Sequence, residues 1–169
     1  MKLLEYKGKE LLAGCGVRSA PGIVTDNKSY INLSFHKERY KEFFYDHKKV
    51  IIKAQIAAIH RKQNGYIIEA DNYKESLKLI EGLYDSEYNE QPITTLLIEK
   101  MLDVAEEYYL SILYDTRERR PMILLSREGG IDIETSGEVA RTYVSPLEGL
   151  HDYQVRELAK AACFSSTEL

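Results

Sequence analysis

Alternating residues in the second half of the chain predict a β-hairpin. Between residues 108 and 114, Tyr, Leu, Ile and Tyr alternate with Tyr, Ser and Leu, a spacing typical of a strand. The polar segment 117–120 then predicts a turn, and residues 121–126 predict the return strand. Gly129 and Gly130 follow, where the backbone is expected to turn sharply or to be approached closely.

Two continuous apolar runs predict buried strands. The run 94–98 ends on a carboxylate, Glu99, and the run 50–56 carries one lysine, Lys53, near its middle. A lysine in an apolar strand is costly unless its amine reaches water or meets an anion. Both interpretations of Lys53 therefore stay open: an amine that reaches solvent at a strand end, or an amine paired with an anion.

Four further segments have apolar residues at helical spacing. Glu5 and Lys9 form a favourable i,i+4 pair in the first of them. Asp71 and Asp152 are predicted to cap the last two, because a carboxylate accepts hydrogen bonds from free helix amides. The predicted helices are 3–13, 36–47, 72–83 and 153–162, with short strands at 23–24 and 142–147. The side chains expected to face inward are Tyr40, Phe43, Phe44, Tyr73, Leu77, Ile80, Val155, Leu158, Ala159 and Ala162. Residues 26–35 give no prediction.

Composition excludes several classes of protein. The 169 residues suffice for one domain or two small lobes, and the hydrophobic and charged shares of 44% and 30% are ordinary for a globular protein. A net charge of −4 predicts no nucleic-acid partner. Apolar runs are too short for a membrane span, and no signal or transit pattern is visible, so a cytoplasmic location is expected. The two cysteines and four histidines lack metal-ligand spacing, and no metal site is predicted.

Three segments resemble one protein family. Residues 126–134, Ser-Arg-Glu-Gly-Gly-Ile-Asp-Ile-Glu, are similar to the signature that ends the hairpin in ATP-grasp ligases, in particular the β subunit of succinyl-CoA synthetase. The opening residues 3–22 and the segment 153–159 are similar to the same family, and the matches come in the family's order. Together these matches are much more specific than a Gly-Gly pair alone.

The resemblance implies an α/β fold, with α+β layers, of the ATP-grasp type. Residues 1–169 would form one ATP-grasp-like unit with two lobes. The small lobe would span about residues 21–100, and the large lobe would combine residues 1–20 with 101–169. In the family the remainder of the large lobe and the Mg²⁺ ligands follow, so a truncated large lobe is expected here.

The resemblance also implies a nucleotide site. Lys53 and Arg61 would meet the phosphates, Glu99 and the residues after it would frame adenine, and Glu107 would hold the ribose. Without the resemblance, Glu99 and Glu107 are most simply a solvated strand end and a solvated strand start. The catalytic residues are not identified, and nothing in the chain matches the family's Mg²⁺ ligands.

One segment departs from the family. The family has a glycine-rich phosphate loop where this chain has residues 57–66, Ala-Ala-Ile-His-Arg-Lys-Gln-Asn-Gly-Tyr. Glycines let backbone amides approach phosphates without an intervening Cβ. Ile59, His60 and Lys62 would thicken the loop, so it is expected to grip a triphosphate less well than the family's loop does.

The function implied is the ATP-binding portion of an ADP-forming acid–CoA ligase, similar to succinate–CoA ligase β. It would use ATP with Mg²⁺ and need an α-type CoA-binding subunit or another chain that supplies the missing half. Two alternatives stay open. One is a fragment of the ATP-citrate lyase or citryl-CoA synthetase kind, and the other is a degenerate, non-catalytic module that binds a partner subunit.

Overall fold

The computed structural model describes residues 3–26, 35–58, 60–129 and 139–165. The chain divides into two compact units, Met1–Asp103 and Val104–Leu169. Residues 3–20 belong to the first of these units, and the division into a small and a large ATP-grasp lobe stays a prediction. The segment 130–134, which carries part of the family signature, lies outside the described residues.

The first unit is built on a four-stranded antiparallel sheet. The elements of this unit are α1 (Glu5–Gly14), β1 (Gly22–Asp26), α2 (Phe35–His47), β2 (Val50–Ala54), β3 (Ile67–Ala70), α3 (Tyr73–Tyr84), β4 (Glu87–Tyr88), β5 (Gln91–Pro92) and β6 (Thr95–Lys100). The strand order of the sheet is β1-β6-β2-β3, so β6 and β2 are the inner strands. The two-residue strands β4 and β5 form a separate pair.

One face of the sheet forms the hydrophobic core against α2 and α3. The buried side chains of this core are Tyr40, Phe44, Val50, Ile52, Ala54, Ala70, Ile80, Leu83, Tyr84, Ile93, Leu96 and Ile98. Phe43, Tyr73 and Leu77 are partly buried against it, so the predicted inward faces of both helices are confirmed.

Lys53 and Glu99 belong to the opposite face of the same sheet. Side chains alternate along a strand, and the core takes Ile52 from β2 and Ile98 from β6. Across the pair, Ile51 faces Glu99 and Lys53 faces Leu97, which makes Lys53 and Glu99 diagonal neighbours. The strand pattern thus brings together a lysine and an acid that are far apart in sequence.

Helix α1 is attached to that second face by polar contacts. None of its residues is buried, and Leu11 and Leu12 are more than half exposed. The backbone amide of Tyr6 donates a 3.1 Å hydrogen bond to the Gln55 side chain at the end of β2. This bond satisfies one of the amides that the first turn of a helix leaves without an intrahelical acceptor.

Two features of the α3 region differ from the sequence-based prediction. The N-cap is Asn72, not Asp71, and its side chain accepts hydrogen bonds from the amides of Lys74 and Glu75. Asp71 is wrong as a cap because the helix begins one residue later than that assignment requires. Strand β3 was not predicted, and it pairs with β2 along the edge of the sheet.

The second unit is a three-stranded antiparallel sheet with one helix. Its elements are β7 (Tyr109–Asp115), β8 (Arg120–Ser126), β9 (Ala140–Tyr143) and α4 (Asp152–Ala161), in strand order β7-β8-β9. The predicted hairpin is confirmed, and Asp115 stabilises its turn by accepting hydrogen bonds from the amides of Arg117 and Glu118. The Gln154 side chain joins α4 to β9 by donating to the Tyr143 carbonyl at 2.9 Å.

Three sequence-based predictions in this unit were inaccurate. The edge strand is residues 140–143 rather than 142–147. Asp152 is the first residue of α4, and His151 is its N-cap. Val155 is 41% exposed although an inward position was predicted, whereas Leu158, Ala159 and Ala162 are buried as expected.

The predicted α/β class, in α+β layers, is confirmed by these mixed helices and antiparallel sheets. Over the described ranges, every helix is too short or too polar to serve as a membrane span.

Candidate functional site

A single carboxylate, that of Glu5, joins two of the predicted site residues. Its Oε1 atom lies 2.8 Å from Lys53 Nζ, and its Oε2 atom lies 2.7 Å from an Arg61 guanidinium nitrogen. Lys53 comes from β2, Arg61 from the loop after β2, and Glu5 from the first turn of α1. The structure therefore brings Lys53 and Arg61 to one place, as the site prediction requires, although their roles there stay a prediction.

Glu99 anchors the same cluster from β6. Only 3% of its side chain is exposed, and its two carboxylate oxygens contact Lys9 and Lys53, the latter at 2.8 Å. Lys9 lies one helical turn beyond Glu5, and their own ion pair is longer, at 4.0 Å. Because both oxygens of Glu99 bind lysines, its side chain holds Lys53 in position, and it is the backbone after Glu99 that could frame a base.

Gly22 makes room for this buried acid. It pairs with Glu99 across β1 and β6, and a Cβ atom at residue 22 would lie 2.9 Å from Glu99 Cγ and 3.0 Å from the Ile98 carbonyl oxygen. A larger residue at this position would have to displace the acid or the strand backbone.

The cluster favours the charged forms of Glu5 and Lys53. Burial alone would raise the pKa of Glu5, but hydrogen bonds from Lys53 and Arg61 outweigh it and hold that pKa below its ordinary value. Burial alone would lower the pKa of Lys53, but hydrogen bonds with Glu5 and Glu99 outweigh it and raise that pKa. Lys53 therefore stays cationic at neutral pH despite its partial burial.

Arg61 is fixed at two points, and the end of its loop is held by internal hydrogen bonds. One guanidinium nitrogen donates to the Ala54 carbonyl at 3.1 Å and the other to Glu5. The amides of Asn64, Gly65 and Tyr66 donate to carbonyls of residues 60–62 in the same loop. These amides are consequently not free to cradle a phosphate, which agrees with the expectation that the thickened loop grips less well.

The two cations nevertheless keep donors for a ligand. A lysine ammonium offers three N–H donors and an arginine five. In the described part of the chain, the contacts of Lys53 use two, to Glu5 and Glu99, and those of Arg61 use two, to Glu5 and Ala54. Three cations and two carboxylates leave the cluster one positive charge in excess. This arrangement can bind an anion such as a phosphate group.

Glu107 belongs to the second unit. It is exposed, and its backbone is fixed by Gly129, whose amide donates to the Glu107 carbonyl at 2.9 Å. The neighbouring acid Glu106 instead contacts the Tyr108 hydroxyl and lies 3.6 Å from Arg127. The backbone of Glu107 is thus held in place. Its role in binding the ribose stays a prediction.

The described residues do not fit a magnesium site. Nowhere in the described ranges do three or more acidic, histidine or cysteine side chains come together as metal ligands do. The carboxylates of Glu5 and Glu99 are each paired with two cations, so neither is available as a hard oxygen ligand.

An open depression of about 530 Å³ lies beside the same helix, a size within the range of small-molecule sites. Lys9, Glu10, Gly22, Arg39 and Glu99 are among its lining residues. Lys53 and Arg61 are not among them, but Lys9 and Glu99 belong to the charged cluster, so the depression borders that cluster.

The sequence-based interpretation missed Glu5 and Lys9 as parts of this cluster. It treated them as an ordinary intrahelical pair, which is the usual meaning of acid and base at i,i+4 spacing. The signal that could have found them is the weakly apolar character of the α1 sequence. Such a helix buries none of its residues and is held by polar contacts instead.

Comparison with known proteins identifies a matching family and similar proteins. Residues 2–169 match the family model described as the ATP-grasp domain. The chain is 36% identical to the succinate–CoA ligase [ADP-forming] subunit beta of Rubrobacter xylanophilus, over 98% of this chain and 42% of that protein. It is 29% identical to the succinate–CoA ligase [GDP-forming] subunit beta of Thermus thermophilus, over 96% of this chain and 42% of that protein.

Solved structures share the fold at lower identity. ACD1 of Candidatus Korarchaeum cryptofilum, in complex with coenzyme A, has a TM-score of 0.69 at 16% identity, over 94% of this chain and 65% of that one. ATP citrate lyase from Methanothrix soehngenii, in complex with citrate and coenzyme A, has a TM-score of 0.64 at 18% identity, over 95% of this chain and 42% of that one. The chain thus spans about two fifths of the length of the curated relatives that it matches.

Proposed function

Because this chain belongs to the ATP-grasp domain family, we propose that it forms the nucleotide-binding part of an ADP-forming acid–CoA ligase, similar to succinate–CoA ligase β. The observation that carries the proposal is the pairing of Lys53 and Arg61 on the Glu5 carboxylate, which holds two cations with spare donors at one place. Phosphoryl transfer depends mainly on positioning and charge neutralisation, and two adjacent fixed cations supply both.

Each site residue has a separate role in this proposal. Lys53 and Arg61 bind the phosphate groups of ATP through their remaining N–H donors. The backbone after Glu99 contacts adenine, and the Glu99 side chain keeps Lys53 in place. Glu107 accepts hydrogen bonds from the ribose hydroxyls, as the resemblance implies.

The remaining parts of the reaction come from elsewhere in the assembled ligase. Magnesium is needed to neutralise a nucleotide triphosphate during transfer, and the described residues do not supply its ligands. An α-type subunit, or another chain that supplies the missing half, would bind coenzyme A and the acyl group. Within the same reaction class, a citrate-activating ligase of the ATP-citrate lyase kind is the alternative.

A non-catalytic interaction module is the second candidate function. The specific observation in its favour is the loop after β2, where the amides of residues 64–66 donate within the loop and are not available to phosphates. In this case the cluster around Lys53 would serve only to attach α1 to the sheet, and the chain would act by binding a partner subunit.

Isothermal titration with Mg-ATP separates the two candidates. The ligase proposal predicts saturable binding by the chain, alone or with a candidate partner, and a loss of at least about tenfold in affinity for Lys53→Met. Lys78→Met is the matched control, because Lys78 is an exposed lysine on α3 of the same unit and should bind as the wild type does. Absence of binding by the chain and by its complex would leave only the interaction module.

A further inference from the structure

Glu5, in the first turn of α1, bridges the two cations of the proposed phosphate site. Helix α1 has no buried residue, yet the two oxygens of Glu5 divide between Lys53 and Arg61 at 2.8 and 2.7 Å. About a quarter of its side chain is exposed. A carboxylate shared in this way fixes the distance between two cationic heads that come from different parts of the backbone.

We infer that Glu5 is a positioning residue that sets Lys53 and Arg61 in the geometry needed to bind the phosphates of a nucleotide. This inference rests on the proposed function and deepens it. It places part of the nucleotide site on α1, a helix to which the sequence analysis gave no role in that site.

Part of the loop after β2 is closed to phosphates. The amides of residues 64–66 donate within the loop, which increases the share of phosphate binding that falls to the side chains of Lys53 and Arg61. Apart from Glu5, the described contacts of the Arg61 guanidinium include only the carbonyl of Ala54. Removal of the Glu5 carboxylate would therefore leave Arg61 with one fixed point and free to rotate.

The opposite role, competition between Glu5 and phosphate, makes different predictions. A competing carboxylate would have to occupy the donors that a phosphate needs, whereas Lys53 and Arg61 keep donors beyond those that Glu5 uses. The excess positive charge of the cluster also lets an anion approach while Glu5 stays in place. The observed contacts thus favour positioning over competition.

Two substitutions of Glu5 distinguish the roles by Mg-ATP titration. Glu5→Gln keeps the shape and removes the charge, and Glu5→Asp keeps the charge and shortens the side chain so that it no longer spans both cations. Positioning predicts about tenfold weaker binding for both variants. Competition predicts tighter binding for Glu5→Gln and unchanged binding for Glu5→Asp, and either result would overturn the inference.

A double-mutant cycle with Arg61→Ala excludes a merely structural effect. If Glu5 acts through Arg61, the loss in the double variant will be clearly smaller than the product of the two single losses. Independent effects that multiply would overturn the inference even if Glu5→Gln binds weakly. Glu10→Gln is the matched control, because Glu10 lies on the same helix and pairs with the exposed Lys7. Circular dichroism confirms that each variant is folded.

The same titrations separate failure of the inference from failure of the proposed function. If the wild type binds no Mg-ATP, alone or with its partner, the proposed function fails and the inference fails with it. If the wild type binds and the Glu5 variants bind equally well, only the role of Glu5 is overturned.

Discussion

Gly129 is packed directly against the backbone of Glu107. A Cβ atom at residue 129 would lie 2.6 Å from Glu107 Cβ, 2.8 Å from its carbonyl carbon and 2.9 Å from its carbonyl oxygen. The Gly129 amide meanwhile donates a hydrogen bond to that carbonyl. Glycine is therefore required here because two backbone segments of the second unit approach too closely for any side chain, and the approach fixes the position of a predicted site residue.

Substitution of Gly129 by alanine should destabilise the second unit. Since the clash involves backbone atoms, it cannot be relieved by rotation of a side chain, and we expect a loss of about 1 to 3 kcal/mol in the free energy of unfolding. Urea unfolding followed by circular dichroism measures this loss, and hydrogen exchange in β7 and β8 assigns it to the second unit. The control is Gly82→Ala, because Gly82 lies in α3 with open space around its Cα, and alanine there should stabilise the helix by about 0.5 to 1 kcal/mol. Equal stability of Gly129→Ala and the wild type would contradict the close approach.

The pH dependence of stability should carry a contribution from Glu5. Burial alone would raise the pKa of Glu5, but the hydrogen bonds from Lys53 and Arg61 place it below the ordinary value of 4.5. A carboxyl group whose pKa is lower in the folded state stabilises the fold above its unfolded pKa, and this stabilisation is lost as the pH falls through the folded pKa. We therefore expect the free energy of unfolding to decrease on acidification below about pH 4.5.

Comparison of two variants isolates that contribution. Glu5→Gln should flatten the acid side of the stability curve, because the group that takes up the proton is absent. Glu10→Gln should keep the slope of the wild type, since Glu10 is exposed and pairs with the exposed Lys7. Denaturant midpoints measured at a series of pH values between about 3 and 7 give both slopes, and parallel curves for wild type and Glu5→Gln would disprove the effect.

Most of the strands and helices could be predicted because hydrophobic periodicity determines them. The alternation before Asp115 and the apolar runs of β2 and β6 need no information beyond the strand itself. The errors came where a neighbouring element decides the outcome. Strand β3 is only four residues long, and it is defined by its pairing with β2 rather than by its own pattern.

The candidate site was predictable in part for the same reason. Lys53 attracted attention because a charge in an apolar strand needs a partner, and Glu99 because of the family resemblance. Their actual partners, Glu5 and Lys9, come from a helix more than 40 residues away in sequence, and local spacing carries no information about such a contact. The sequence therefore identified the charges that needed explanation but not the helix that neutralises them.

Two substitutions test whether Asn72 or Asp71 caps α3. The Asn72 side chain accepts hydrogen bonds from two helix amides, so Asn72→Ala should cost about 1 kcal/mol in the free energy of unfolding. Asp71→Ala should change it by no more than about 0.5 kcal/mol, because Asp71 is exposed and precedes the cap. Urea unfolding of both variants gives the comparison, and a larger loss for Asp71→Ala would return the cap to the residue predicted from sequence.

The burial of Glu99 makes it the most sensitive residue of the cluster. Glu99→Gln removes the charge that lies between Lys9 and Lys53, and the loss of one partner from a buried ion pair usually costs more than the pair contributes. We expect a decrease of about 2 to 4 kcal/mol in the free energy of unfolding, somewhat below the range for fully buried pairs because both lysines are partly exposed.

Removal of Lys9 together with Glu99 should recover part of the lost free energy of unfolding. In Lys9→Met/Glu99→Gln the unpaired cation from α1 is absent, and Lys53 keeps its contact with Glu5. The double variant should therefore be more stable than Glu99→Gln, with a coupling energy of about 0.5 to 3 kcal/mol. Urea unfolding of the wild type, both single variants and the double variant completes the cycle. Strictly additive losses would mean that Lys9 and Glu99 do not act as a pair.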